Sequence, residues 1–223
     1  MTREEPSSSH LSTSHDFRDS IRPMPFPFSR QPSADAPPRA KAVAAFFELV
    51  QVLAISLAIV LPIRYFLVAP FYVKGASMEP NFFDHEYLII DELSYRFHDP
   101  VRGDIVVFRY PRDPRQYFIK RVIGLPGETV EIANGEIRIY NDAHANGIIL
   151  DESTYLEQPF TATTQTVTLK ADEYYLMGDN RPSSLDSRIF GPVTRSHIVG
   201  RVKLRGFPVD RWKWFETPAY PKL

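Results

Sequence analysis

The chain has 223 residues, with 26 Lys and Arg against 27 Asp and Glu, a formal net charge of −1. That balance gives no electrostatic reason for a nucleic-acid partner. The absence of cysteine excludes disulfides, thiol catalysis and Cys-ligated zinc, and leaves the compartment open.

Residues 1–41 are expected to form a disordered tail. They carry Ser7-Ser8-Ser9, the proline-rich run from Pro23 to Pro27 and Pro37-Pro38, with too few aliphatics to offset the entropy of ordering. No apolar run follows the first residues, so the tail does not read as a cleavable signal peptide. Residues 42–61 (AVAAFFELVQVLAISLAIVL) are the membrane candidate, and a transmembrane helix is expected over 42–66. Its length at helical rise is about 30 Å, the thickness of a hydrocarbon core. Glu48 near one end is tolerable at the headgroups, and Arg64 can snorkel at the other. The competing reading is an amphipathic or buried core helix. Arg22, Arg30, Arg39 and Lys41 lie upstream, and Arg64 and Lys74 downstream. The positive-inside rule then puts the tail in the cytoplasm and residues 67–223 outside.

From about residue 68 the pattern turns to β. Residues 104–110 (DIVVFRY) and 117–123 (YFIKRVI) are rich in Val, Ile, Phe and Tyr, with Pro111-Arg112-Asp113-Pro114 as the turn between them. Further strands are expected at 87–90, 129–132, 136–140, 166–169, 174–177 and 197–204, with Asn134-Gly135 as a hairpin turn. Many short strands punctuated by Gly and Pro predict a mainly β domain, a sandwich or barrel-like arrangement of antiparallel sheets.

Three clusters bear chemistry. Ser77 lies in Gly75-Ala76-Ser77-Met78-Glu79-Pro80, which is not the Gly-x-Ser-x-Gly elbow of α/β-hydrolases; taken alone it reads better as a structural serine than as a nucleophile. Lys120 sits inside a strand, on one face with Phe118 and Val122. It is either an edge lysine with its head in water or a desolvated amine. Bringing a lysine from about 10.4 toward 8 costs about 3 kcal/mol, and yields a neutral base that can take a proton from a serine hydroxyl. The third cluster is Gly178-Asp179-Asn180-Arg181 followed by Ser184, Asp186, Ser187 and Arg188. It is either a solvated turn or a loop locked by ion pairs.

Taken in order, these pieces resemble the bacterial type I signal peptidases. Gly75-x-Ser77-Met78-x-Pro80 resembles that family's nucleophile motif. The blocks Gly103-Asp104-Ile105-Val106-Val107-Phe108 and Lys120-Arg121-Val122-Ile123-Gly124-Leu125-Pro126-Gly127-Glu128 follow, and then the Gly178–Arg188 block, over roughly residues 42–210. The resemblance implies a serine endopeptidase that removes signal peptides from exported preproteins, with Ser77 as nucleophile and Lys120 as general base. It implies that Ser184 orients the lysine amine, and that Asp179 with Arg121 and Asp186 with Arg188 brace the site. The Ser77 N–H is the implied oxyanion donor; Gly75 stands where some relatives carry a serine hydroxyl as the second, and one such donor is typically worth about 3–4 kcal/mol.

By the same resemblance, Val73, Met78, Phe82, Phe118 and Ile119 wall shallow apolar pockets for the small residues at −1 and −3 of a signal peptide. The substrate is expected to lie as an extended strand beside the sheet, its own apolar segment in the same bilayer as the enzyme's anchor. Residues 129–172 are expected to form a small inserted β cap. Trp212, Trp214 and Phe215, interleaved with Arg211 and Lys213, suit either a membrane interface or packing on the domain. No cofactor is expected, and none of the six histidines forms a His-Glu-x-x-His metal motif. The rivals are a Ser/His/Asp triad through His85 or His98, a Ser-Lys self-cleaving repressor, and a membrane-anchored β-domain that only binds peptides. The first leaves Lys120 idle, the second needs a helix-turn-helix that residues 1–40 do not offer, and the third would have lost Ser77 or Lys120.

Overall fold

The structure, a computed structural model, describes residues 37–62 and 68–220. Of the tail expected over residues 1–41, residues 1–36 with Arg22 and Arg30 lie outside the described residues, as does the end of the expected span with Arg64; the helix begins before residue 42, at Pro38. Helix α1 runs Pro38–Pro62. Pro38 opens it, where a missing N–H costs nothing because the first turn has no acceptor for it. Within it, Lys41–Leu61 is long and apolar enough to cross a membrane, and none of it is buried. Its Phe47, Leu49 and Val52 side chains are exposed, so the buried core helix is not what forms. At about 1.5 Å per residue this stretch matches a bilayer's hydrocarbon core.

The second unit is mainly antiparallel β. Its strands are β1 (Val68–Tyr72), β2 (Tyr87–Asp91), β3 (Ile105–Tyr110), β4 (Asp113–Gly124), β5 (Thr129–Ala133), β6 (Glu136–Asn141), β7 (His144–Ile149), β8 (Gln165–Thr168), β9 (Glu173–Met177), β10 (Val193–Thr194), β11 (Ile198–Phe207) and β12 (Lys213–Trp214). A short helix α2 (Ser187–Phe190) follows β9. The large sheet has the order β1-β2-β11-β3-β4-β9-β10, with β12 paired to β11; the small one is β7-β6-β5-β8.

The core explains the sequence pattern. In β3 residues 105–108 are buried without alternation, because the sheet is covered on both faces. Ile105 and Val107 pack with Val73, Met78, Phe82, Leu88, Ile90 and Val202. Val106 and Phe108 pack the other way, with Val122, Tyr174, Leu176, Val193 and Ile198. A third cluster joins the sheets: Val130, Ile132, Ile137, Ile139, Leu150 and Leu169 close over Ile123, Tyr175 and Met177. The 129–168 hairpins therefore share a core with the large sheet.

The expected Asn134-Gly135 turn is present, with both residues at positive φ. The turn between β3 and β4 is narrower than Pro111–Pro114. Pro111 and Arg112 make it, and Asp113 and Pro114 belong to β4. Register slips there, between Arg109↔Tyr117 and Tyr110↔Asp113, so Pro114 stands in an irregularity of the ladder that asks no donor of it.

One asymmetry of β4 matters for the site. It pairs with β3 from Asp113 to Arg121, but with β9 only from Arg121 onward. Residues 113–120 thus form an edge, and Lys120 is the last residue before that edge is covered.

Candidate active site

The loop after β1 carries Ser77. Val73 and residues 85–86 clamp its two ends, the Val73 N–H donating to Glu86 O (2.8 Å) and the His85 N–H to Val73 O (3.1 Å). Gly75 adopts φ +92°, a conformation glycine takes without strain. Its N–H donates to Asp84 Oδ1 at 2.9 Å. That amide is engaged, so it is not a second oxyanion donor in this geometry. The Ser77 N–H has no partner among the described residues.

The structure brings Ser77 and Lys120 together. Nζ and Oγ lie 2.6 Å apart, and Nζ also donates to the Ile119 carbonyl at 2.7 Å. Lys120 is 3% exposed. Burial lowers its pKa to about 8; Asp186 and Asp179 pull the other way, and Arg188 assists the lowering. A neutral amine within reach of a hydroxyl is the arrangement in which the amine accepts the hydroxyl proton.

Behind the pair stand two buried carboxylates. Asp179 accepts from Arg121 Nε (2.8 Å) and Nη2 (2.7 Å), a two-point pairing that fixes both groups. The third arm of Arg121 donates to Gly103 O at 3.0 Å, and its guanidinium lies 3.9 Å from the Tyr155 ring centroid. Asp186 caps α2 and accepts from Arg188 Nε (2.8 Å) and Nη2 (2.7 Å), and from the Gly178 N–H (3.0 Å). Burial opposes the charge on Asp186, yet the Arg188 and Gly178 hydrogen bonds hold its carboxyl below the usual range.

Ser184 is at the site but not on the amine. Its Oγ is buried and makes no close hydrogen bond, but it lies near enough to Asp186 to help hold that carboxyl down. It and the Ser77 carbonyl crowd the same face of Gly178, where an added Cβ would meet them at 2.2 and 2.4 Å.

A cleft of about 200 Å³ opens beside the pair. Phe71, Val73, Leu88, Val107, Phe118, Ile119 and Leu185 give it apolar walls, with Tyr72, Lys74 and Tyr117 at its polar parts. It runs between β1 and the edge stretch of β4. Of the wall residues expected from sequence, Val73, Phe118 and Ile119 line it. Met78 and Phe82 do not: both are fully buried, and Phe82 stacks on Phe215 with ring centroids 4.5 Å apart. Phe71, Leu88, Val107 and Leu185 were not anticipated; Leu185 stands inside the last motif as an apolar residue among charges.

Other supporting groups also escaped the sequence reading. Asn81 Nδ2 donates to Asp179 Oδ2 (2.9 Å) and to Tyr155 O (2.8 Å). Asn180 donates from its backbone N–H to Ser77 O (3.1 Å) and from Nδ2 to Ala76 O (3.0 Å). Arg181 pairs with Glu152 through both terminal guanidinium nitrogens and reaches Thr161 Oγ1 at 2.8 Å. Glu152, Tyr155 and Thr161 all come from the segment between β7 and β8. That segment therefore buttresses the loops around Ser77 and Lys120, a role the sequence left open.

Trp212 and Trp214 are 60% and 55% exposed, whereas Phe215 is packed. No group of three or more His, Cys, Asp or Glu among the described residues could hold a metal ion.

Residues 46–207 match the sequence model of the family described as signal peptidase, peptidase S26. Signal peptidase I of Leptolyngbya laminosa is 36% identical over 208 residues, covering 90% of this chain and 95% of that one. Probable signal peptidase I-1 of Synechocystis sp. is 37% identical over 172 residues, 74% of this chain and 84% of that one. Signal peptidase I P of Bacillus subtilis subsp. natto is 34% identical over 167 residues, 73% and 89% of the two chains. A crystal structure of a signal peptidase I from Enterococcus faecalis V583 is 34% identical, with a TM-score of 0.39 over 47% of this chain and 97% of that one. With its motifs in order along most of its length, this chain belongs to the signal peptidase family, peptidase S26.

Proposed function

We propose that this protein is a membrane-anchored serine endopeptidase that removes signal peptides from exported preproteins, with Ser77 as nucleophile and Lys120 as general base. The observation that carries the reading is the 2.6 Å contact between a desolvated amine and a hydroxyl at the end of an apolar cleft.

A peptide laid along the cleft presents its carbonyl carbon to Ser77 Oγ. Neutral Lys120 takes the hydroxyl proton as the C–O bond forms, and the Ser77 N–H receives the developing oxyanion. Collapse of the tetrahedral intermediate breaks the C–N bond. The new amine leaves with the proton from Lys120, and an acyl-enzyme remains. Water, deprotonated by Lys120, then releases the signal peptide as a carboxylate. Arg121–Asp179 and Arg188–Asp186 hold the two loops around the amine. Ser184 brings a buried hydroxyl to the site beside Asp186, a group that can turn to the lysine once it is protonated.

The cleft fits small side chains at alternate positions of an extended peptide, with Val73, Phe118, Ile119, Leu88, Val107 and Leu185 as walls. The edge of β4 can supply main-chain hydrogen bonds to such a strand. Helix α1 serves as the anchor. By the positive-inside rule, Arg39 and Lys41 at its start favour an N-terminal side in the cytoplasm and a β unit in the extracytoplasmic space. Exposed Trp212 and Trp214 suit a lipid interface.

The test is cleavage of a purified preprotein by the full chain in detergent. Wild type is expected to release the mature protein, and Ser77→Ala to release none. Equal turnover by the two sinks the reading. A second expectation concerns Gly178. A Cβ there would meet the Ser77 carbonyl oxygen at 2.4 Å, a backbone atom that must move. Gly178→Ala is expected to lower kcat about a hundredfold, the cost of misplacing a nucleophile by about 1 Å. An unchanged kcat would show that the nucleophile loop is not held against Gly178.

A further inference from the structure

Resting on that reading, we infer that Asn180 is a positioning residue that aims the oxyanion donor. The peptide between Ala76 and Ser77 is planar and trans, so its C=O and its N–H point in opposite directions. Whatever holds the Ala76 carbonyl therefore sets where the Ser77 N–H points. Asn180 Nδ2 donates to that carbonyl at 3.0 Å. Among the described residues the other donor on it is the Glu79 N–H, at 3.2 Å from within the same loop.

The next peptide is fixed from the same residue, since the Asn180 backbone N–H donates to Ser77 O at 3.1 Å. Upstream, Asp84 holds the Gly75 N–H. The Ser77 N–H has no partner among the described residues, and it points to the opposite side of its peptide from the carbonyl that the Asn180 side chain holds. Asn180 does not line the cleft, whereas Ser77 and Lys120 do. Its side chain thus acts on the reaction through the peptide plane and never touches the substrate.

The effect is confined to steps where an oxyanion exists. Losing the Asn180 side chain leaves the cleft walls, Lys120 and Ser77 Oγ in place, but lets the 76–77 peptide rotate. The Ser77 N–H then no longer meets the developing charge at hydrogen-bond distance.

The experiment compares wild type, Asn180→Ala and the isosteric Asn180→Asp, whose side chain cannot donate, in the full chain in detergent. Three quantities are read: kcat and KM on a preprotein, the affinity of a peptide aldehyde ending in alanine, and the pH at which activity is half-maximal. The aldehyde tests the donor because Ser77 Oγ adds to its carbonyl to give a tetrahedral adduct. Rates are scaled to the fraction of enzyme that the aldehyde can titrate, which removes misfolded material. Both variants are expected to lose about tenfold to a hundredfold in kcat with KM nearly unchanged. Aldehyde affinity should fall by a similar factor, and the half-maximal pH of Asn180→Ala should stay put because Lys120 and the charges around it are untouched; Asn180→Asp adds a carboxylate near the amine and is read on kcat and aldehyde affinity alone. Wild-type kcat and aldehyde affinity in both variants overturn the inference. So does a fall in kcat with unaltered aldehyde affinity, which would place Asn180 on another step. Failure of the parent reading looks different, because Ser77→Ala would then cleave as well as wild type.

Discussion

Lys120→Met is expected to abolish cleavage and, below pH 8, to make the fold more stable. Removal of the base should lower kcat by about 10⁴ or more, since a serine hydroxyl without a proton acceptor is a poor nucleophile and the pair acts as a unit. The stability change follows from linkage. The folded chain holds Lys120 at about 8, against 10.5 for an ordinary lysine. Below pH 8 the amine is protonated in both states, and the folded state alone bears the cost of a buried charge. That cost is about 3 kcal/mol, from the gap between the two values. Between pH 8 and 10.5 only the unfolded chain keeps the proton, so stability rises with pH; above that range both states are neutral and the cost is gone. Methionine fills similar space and carries no charge. Denaturant unfolding of wild type is thus expected to gain about 3 kcal/mol across that window, and the variant to show no such gain. Wild-type activity should climb through the same region, with a midpoint near 8. A flat activity profile, or a variant less stable than wild type at neutral pH, counts against a desolvated lysine base.

Why could the sequence point to this pair and not show its environment? Period-two alternation puts Lys120 on a face with Phe118 and Val122, and both do pack inward. Alternation says nothing about whether the amine is dry. Here the edge of β4 is closed by parts distant in the chain: the nucleophile loop, the Asp179 and Asp186 loop, and behind them Tyr155 and Glu152. That burial comes from tertiary packing, which no local pattern encodes. The same limit applies to Asn81 and Asn180. An asparagine whose work is to hold a backbone carbonyl or a carboxylate looks like any loop asparagine until its acceptor is known.

Elements divide in the same way. β3 and β4, dense in Val, Ile and Phe, were legible from composition. β7 reads HANGII, with Gly147 at positive φ, and forms because Ile148 and Ile149 pair with β6. β10 and β12 span two residues each and exist only through pairing with β9 and β11. Met78 and Phe82 sit next to the nucleophile in sequence, which suggested contact with substrate. The turn that exposes Ser77 sends those two side chains into the core instead, with the Phe82 N–H returning to Met78 O at 2.9 Å.

Asp179→Ala is expected to be the most damaging substitution to stability at this site. Arg121 is 2% exposed and gives two of its three hydrogen-bonding arms to that carboxylate. Alanine leaves a buried guanidinium whose remaining partners are one carbonyl and the face of Tyr155. Removing one member of such a pair typically costs about 3–5 kcal/mol, because the stranded charge stays desolvated. Asn81 loses its acceptor as well. Asp179→Asn keeps the shape and a hydrogen-bonding oxygen, so it should be milder. Replacing both partners by apolar groups, Arg121→Met with Asp179→Leu, should recover much of the loss, since neither charge then remains buried. The kinetics carry a separate signature. Asp179 is one of two carboxylates that raise the Lys120 pKa against the pull of burial. With it gone, and the positive charge of Arg121 unbalanced, the amine should lose its proton more readily. The activity midpoint of Asp179→Asn should then move to lower pH than wild type while its maximal rate falls. Denaturant unfolding and pH–rate curves on the same samples separate the two effects. A midpoint that stays fixed, or moves upward, would mean that Asp179 does not act on the lysine electrostatically and serves packing alone.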